Sequence, residues 1–551
     1  MGIPSYFSYI VRNHRNIIKK FTVTDSPKIN NLYLDCNSFI YEAHHSLNNA
    51  RASNDIDFRL YEETIIKQVC ESLINMIRQL QPNKRILIAF DGVAPMAKLN
   101  QQRNRRYMTA YQNELTGTCG STEWNTASIT PGTAFMEKLG ESIIKRFSRP
   151  SEFGLEEIIV SSSAEPGEGE HKIYEYIRTH KEYHRTTQTI IYGLDADLIM
   201  LTLNHLHISE NMYLYRETPE FIKTIDKTLN PNENYLLDIP LFAKSIIGEL
   251  TVTKEDFKLD NDVLFDYILL CFFLGNDFLP HFPALNIRTT GINHLINAYK
   301  FVFAGSKDTL TRGREINWKN MRKFIAHLAL NEFDYIKEEY VQREKHSRRL
   351  MQGQQQGHQH QHQQGKQHQH QQWHQHEDTD ENLLLPLKER AHELYINPLE
   401  AGWETRYYKV LFNIAIDDDR RKDICTNYLA GLEWTMKYYS TGCADWRWLY
   451  HYHYPPLLVD LIKYVPYFEH TFVPLQPKKP VSPLVQLSYV LPPASMGLIP
   501  YALHKKLLAE QPEWYVVDNY MFLWAFCKFF WEAHVELPHI DIDVLETLVK
   551  G

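Results

Sequence analysis

Four short apolar runs, separated by helix-patterned stretches, restrict the fold of this chain more than any other feature. They are NLYLD (31–35), RILIAFD (85–91), EIIVSS (157–162) and QTIIYGLD (188–195). Their aliphatic and aromatic content predicts strands. Between them, residues 61–80, 133–147 and 170–180 carry apolar side chains at helical spacing. Strands alternating with helices predict an α/β fold with a mainly parallel sheet flanked by helices. Continuous apolar runs suit strands covered on both faces.

Ligands of open α/β sheets bind beyond the carboxyl ends of the strands, and acids gather at that predicted edge. Asp35 ends the first run and Asp91 the second. Glu168 and Glu170 follow the third in PGEGEHKI, and Asp195 ends the fourth with Asp197 two residues on. Asp277, in LGNDFLPH after an apolar helix-like run, is a seventh candidate. Residues i and i+2 of extended backbone share a side, so each pair is expected to converge on one point. Gly167 and Gly169 would keep the loop extended until a helix starts near Glu170. Like charges about 4 Å apart repel by roughly 1 kcal/mol in water and several times that near a protein surface, so a cation is expected among them. Oxygen-only ligands without Cys or His spacing favour Mg²⁺, with Mn²⁺ able to substitute. Two ions about 4 Å apart suit this many carboxylates, activating a water and stabilising the leaving oxygen of a phosphodiester. A single Asp at a strand end is more often a cap or a turn residue; repetition at one edge argues for ligands.

No acidic residue occurs between Gly92 and Asn113, a stretch centred on APMAKLNQQRNRRYMTAY (94–111). Lys98, Gln102, Arg105 and Arg106 fall on one helical face, while Arg103 lies off it. Such a run is commonly a solvated face. Starting just after Asp91, it could instead hold a phosphate with bidentate arginines. A blind pocket for a terminal monophosphate suggests an exonuclease that begins at a phosphorylated 5′ end.

The formal net charge of −8 gives no global sign of nucleic-acid binding, so any anionic ligand needs this local patch. The seven cysteines are scattered and never form C-x-x-C, which predicts reduced thiols in an intracellular protein, cytoplasmic or nuclear, rather than a secreted one. No apolar run reaches membrane-spanning length, and no membrane partner is expected. The length of 551 residues predicts more than one domain. A Gln/His-rich segment from about Met351 to His376 divides the chain. It reads as a disordered linker within 346–384, between a unit at 1–345 and a mixed, largely helical unit at 385–551.

Taken together, MGIPSYFSYI, NLYLDCNSFIY, FDGVAPMAKLNQQRNRRY, ITPGTAFM, PGEGEHKI, GLDADLIML and LGNDFLPH resemble the first region of the 5′→3′ exoribonuclease family of XRN type. GWETRYYK, GLEWTMKYYSTGCADWRWLYHYHYPP, PLVQLSYVLPPAS and LPHID resemble its second region. The resemblance implies a PIN/flap-nuclease-like core in 1–345, supported by the second region. It implies two Mg²⁺ ions held by Asp35, Asp91, Glu168, Glu170, Asp195, Asp197 and Asp277, and a 5′-phosphate pocket of Lys98, Gln102, Arg105 and Arg106. It further implies processive hydrolysis of single-stranded 5′-monophosphorylated RNA to nucleoside 5′-monophosphates, with a cap or triphosphate blocking entry.

The chain departs from the family pattern in three places. Tyr41 stands where a base-stacking His is usual; Tyr can still stack, with Trp446 or Trp448 of DWRW as the expected partner. Met96 stands where Arg is common, which predicts a slightly weaker RNA contact. The long C-terminal extension of the large members is lacking, so the chain resembles a minimal form. A structure-specific flap DNA nuclease shares the carboxylate set, but the segment after Asp277, NDFLPHFPALNIRTTGINHL, has no Gly-rich helix-hairpin-helix. A non-catalytic RNA-binding scaffold would be signalled by loss of a carboxylate, and all seven are present.

Overall fold

The computed structural model describes residues 2–22, 28–51, 58–116, 124–217, 222–231, 233–251, 260–361, 384–476, 478–516 and 520–550. The four apolar runs form strands, joined by three that sequence patterning did not reveal. In chain order they are β1 (Ile18–Lys20), β2 (Asn31–Asp35), β3 (Arg85–Ala89), β4 (Glu157–Ser161), β5 (Thr189–Tyr192), β6 (Met212–Glu217) and β7 (Asn234–Leu237). They lie in one sheet in the order β1-β7-β6-β5-β2-β3-β4. The five strands from β6 to β4 are parallel, and β7 and β1 close one edge antiparallel. The exposed Lys19 and Lys20 on β1 blunt that edge against further pairing.

The chain runs from β2 outward to β3 and β4, then returns to the other side of β2 for β5 and β6. The carboxyl ends of β2 and β5 therefore flank the point where the strand order reverses, where an open α/β sheet offers its ligand crevice. Leu34 is paired with Ile88 on one side and Tyr192 on the other. Asp35 thus stands at the sheet rim, with Asp91 and Asp195 a few residues beyond the neighbouring strand ends. β2, β3 and β5 are almost wholly buried, whereas the edge strand β4 is only half-buried along most of its length.

Residues 385–550 are mostly helical, with helices Trp403–Leu411, Asp418–Ser440, Leu458–Tyr464 and Pro483–Val490 and one small hairpin. The two regions do not keep separate interiors. A single apolar cluster runs from Ile3, Tyr6 and Ile199 through Phe273 to Tyr428, Leu432 and Trp434. Asn204, in helix Asp197–His205, bonds Ser440 at 2.9 Å across this junction.

The segment expected as a linker from 346 differs at its start, because helix Trp318–Gln361 continues through 346–361. Extending an existing helix needs no new nucleus, and Gln and Arg are good helix formers. Residues 362–383 lie outside the described residues. None of the six described cysteines forms a disulfide, as the scattered spacing implied; Cys119 lies outside the described residues. Among the described residues, no helix is long and apolar enough to cross a membrane.

Candidate active site

A cavity of about 500 Å³ opens at the reversal point, lined by Asp35, Asp91, Glu168, Glu170 and Asp195 together with Lys98, Gln102, Arg105, Arg106 and Tyr41. Residues drawn from β2, from three loops and from three helices thus meet in one place. The basic helix, Met96–Thr116, is aimed by its opposite face. Leu99 is buried against Val485 and Leu487 of helix Pro483–Val490, and the Ala94 amide bonds Gln486 Oε1 at 3.1 Å. Arg103, off the stripe, is buried and donates to the carbonyls of Pro538 and Trp514. That rotation turns Lys98, Gln102, Arg105 and Arg106 toward the acids.

Neither acid pair lies wholly on the extended backbone that spacing two suggested. Glu168 alone of its pair has extended backbone, with φ −69° and ψ 148°, and helix Gly169–Thr179 starts directly after it. Ala196 is already helical, and helix Asp197–His205 begins at Asp197. Each pair therefore straddles a helix start, where the positive end of the helix dipole favours a carboxylate.

Two glycines allow close approach. A Cβ on Gly169 would lie 2.6 Å from Asp35 Oδ1, and its amide donates to Asp91 Oδ1 at 2.7 Å. Asn37 fixes the other Asp91 oxygen at 2.7 Å. Gly2, at φ +54°, would drive a Cβ to 2.0 Å from Asp197 Oδ1, and its amide donates to Asp277 Oδ1 at 3.1 Å. Only MGIPSYF as a motif hinted that the chain start belongs to the site.

The electrostatics fit acids crowded around the Lys98 ammonium. Lys98 Nζ lies 2.6 Å from Glu168 Oε1 and 2.5 Å from Asp277 Oδ2. Burial works against its charge, yet Asp277, Glu168 and Glu170 hold the ammonium well above its usual pKa. Burial, then the charges of Asp91, Asp195 and Glu168, push Asp35 well above the carboxylate range. Burial and Asp197 do the same to Glu170, and burial with Asp277 raises Asp197 to about 7. Asp277 goes the other way: burial opposes its charge, but positive charge around it, led by Lys98 and including Arg105, together holds it below the usual carboxylate range. Asp277 and Asp197 lie behind the cavity wall, Asp277 facing a second cavity on the other flank of the basic helix.

Do these residues suit divalent ions? Glu170 Oε2 and Asp197 Oδ1 are buried without a hydrogen-bond partner, and such atoms call for a ligand. The donor set is all oxygen, as hard cations prefer. Among the described residues, no three His, Cys, Asp or Glu side chains already stand as an ion shell, and the Lys98 ammonium separates Glu168 from Asp277. The donors fit the ions chemically, with the shell itself requiring side-chain adjustment.

Further along the basic helix, Arg106 donates to Thr130 Oγ1 at 2.6 Å, while its buried Nε and Nη1 have no partner. Burial lowers its pKa to about 10. Gln102 Oε1 is likewise buried and unpaired. Of the three stacking candidates, Tyr41 lines the cavity and is 37 % exposed. Trp448 instead stacks on Trp434, with centroids 5.0 Å apart. Gly431 leaves room for it, since a Cβ there would come within 3.0 Å of the Trp448 ring. Trp446 accepts the Met96 amide through its carbonyl at 3.0 Å, and neither tryptophan lines the cavity. Met96 is buried with Val485 and Leu487, so its side chain packs in the interior.

A family model described as the XRN 5′-3′ exonuclease N-terminus matches residues 1–218. A second, the Xrn1 helical domain, matches 256–394 and 388–550. The chain is 28 % identical to the 5′-3′ exoribonuclease 2 homolog of Drosophila melanogaster, over 98 % of this chain and 70 % of that protein. It is 28 % identical to 5′-3′ exoribonuclease 1 of Saccharomyces cerevisiae, over 93 % of this chain and 40 % of the yeast protein. It is also 28 % identical to 5′-3′ exoribonuclease 1 of Homo sapiens, over 99 % of this chain and 34 % of the human protein. The chain therefore spans well under half the length of the yeast and human relatives. With both regions matched in order, from the strand-end acids to the helices that brace them, the chain belongs to the XRN 5′-3′ exonuclease family.

Proposed function

We propose that this chain is a processive 5′→3′ exoribonuclease that hydrolyses single-stranded, 5′-monophosphorylated RNA to nucleoside 5′-monophosphates. One observation carries the reading: a single cavity joins five of the acids to the basic stripe of Lys98, Gln102, Arg105 and Arg106. Asp35, Asp91, Glu168, Glu170, Asp195, Asp197 and Asp277 would hold two divalent ions, Mg²⁺ or Mn²⁺. Such ions, when bound, supply Lewis-acid activation of water and neutralise charge on the phosphodiester.

The remaining work falls to the chain itself. Arg105 and Arg106 bind the terminal phosphate, and the two unpartnered Arg106 nitrogens suit a fork-to-phosphate contact. Gln102 adds an amide donor, and Lys98 spans the gap between phosphate and acids. Tyr41 stacks on the first base at the cavity rim. Orientation of the first phosphodiester by these contacts lowers the entropic part of the barrier.

The test is a cleavage assay with 5′-phosphate, 5′-hydroxyl and capped RNAs, and a 5′-flap DNA, each with Mg²⁺ and with EDTA. Mononucleotide release from the 5′-phosphate RNA alone, and only with metal, is expected. Preferential cutting of the flap DNA, or RNA intact in every tube, would overturn the reading.

A further inference from the structure

The second region reaches into the acidic cluster. Tyr438, near the end of helix Asp418–Ser440, donates its hydroxyl to Glu168 Oε2 at 2.7 Å. Its ring stacks on His171, with centroids 3.7 Å apart and planes 25° from parallel. It also stacks against Trp434 at 4.8 Å, and Trp434 carries Trp448 in turn. The edge of Phe278 closes on it at 5.5 Å. A tyrosine packed this way has little freedom about its two torsions, so its oxygen is fixed relative to the sheet.

Glu168 gains a defined orientation from this contact. Lys98 holds one of its carboxylate oxygens and Tyr438 the other. The two partners come from different regions of the chain, and Glu168 itself sits on the short loop between β4 and helix Gly169–Thr179. The neighbouring Tyr439 is buried beside Asp197, and burial followed by the charge of that carboxylate raises its hydroxyl pKa. Two consecutive residues of one helix thus lie beside the acidic cluster, and Tyr438 is the one that bonds a carboxylate.

We propose that Tyr438 is a positioning residue: its hydroxyl sets the rotamer of Glu168 and so ties the ion-binding geometry of the acidic cluster to the second region. The inference rests on the hydrolytic reading above and adds to it the residue that aims one ligand. Partners that orient a metal ligand commonly contribute 10- to 100-fold in metal affinity or activity.

Tyr438→Phe tests this, because it keeps the ring and its stacking and removes one oxygen. Mn²⁺ binding is measured by calorimetry on the full chain, alongside cleavage of 5′-phosphate RNA across a Mn²⁺ series. Expected for the variant are Mn²⁺ affinity weakened on the order of 10- to 100-fold, unchanged RNA affinity in EDTA, and partial recovery of kcat at high Mn²⁺. In a Glu168→Gln background, Tyr438→Phe should weaken Mn²⁺ binding no further, since its effect passes through Glu168. Wild-type Mn²⁺ affinity in Tyr438→Phe, or an equal additional loss in the Glu168→Gln background, would overturn the inference while leaving the hydrolytic reading intact. A wild-type chain that neither binds Mn²⁺ nor cuts RNA would overturn both.

Discussion

Lys98 and Asp277 form a buried ion pair at 2.5 Å across 179 residues of chain. It joins the basic helix to the loop that follows helix Asn261–Phe272, and the same ammonium holds Glu168. One cation therefore fixes two acids whose mutual repulsion would otherwise push the loops apart.

Lys98→Met should expose how much rests on that ammonium. Removing one partner of a buried pair leaves an uncompensated charge and commonly costs about 3–5 kcal/mol. Urea unfolding in EDTA should show a loss of that order, and the 5′-phosphate preference should fall with it. Unchanged stability would mean that the two carboxylates relax without cost.

Arg106→Gln should act on substrate choice. A hydrogen bond to a charged group contributes about 1.5–3 kcal/mol, so kcat/KM for 5′-phosphate RNA should fall roughly 10- to 100-fold. The value for 5′-hydroxyl RNA should stay near that of the wild type. Parallel kinetics on the two substrates check this, and an equal loss on both would remove Arg106 from the phosphate pocket.

Arg103→Met should show the reverse pattern. Its guanidinium serves the carbonyls of Pro538 and Trp514 and lies near the rings of Tyr107 and Tyr489. Stranding those carbonyls should cost about 1–3 kcal/mol, seen as a lower Tm. The ratio of activity on 5′-phosphate and 5′-hydroxyl RNA should be retained.

Asp266 lets stability be read against pH away from the acidic cluster. It is buried and accepts bonds from Tyr299, the Leu310 and Thr311 amides and the Thr311 hydroxyl. Burial outweighs those donors and lifts its pKa from 3.8 to about 6. A raised acid contributes stability fully below its unfolded pKa and loses it as pH climbs through its folded one. Its contribution should therefore fade between about pH 4 and 6, by roughly 3 kcal/mol. Asp266→Asn should flatten that part of the profile, measured by urea unfolding at pH 4.5 and 7.

The strand-end acids and the basic stripe were readable because both follow from local rules. Strand runs show in composition, and Lys98 to Arg106 share a face by helical geometry alone. Other features depend on contacts between distant parts of the chain. β6 and β7 include polar or charged residues at their ends and are flanked by others, so no clean apolar run marks them, and pairing across the sheet completes them as strands. Arg103 differs from Arg106 in sequence by nothing but register; what separates them is the C-terminal segment packed on one side of the helix. Trp448 could not be told from Trp446 without knowing that Gly431 opens a slot for one ring. Tyr438 carries no signal of its own in the sequence, because no local pattern says that a hydroxyl in the second region will meet Glu168. The helical start of the Gln/His-rich stretch was hidden by composition, which describes a free chain and not one continuing a formed helix.

The common apolar interior has a bearing on how the molecule would respond to a cut. Leu432 and Trp434 lie in the same cluster as Ile199 and Phe273, so a backbone break between 361 and 384 would sever the polypeptide without parting its hydrophobic contents. Each fragment alone would expose a large greasy wall that the other normally covers. A nicked molecule would therefore travel as one particle, and the two pieces would be insoluble apart before they were merely inactive.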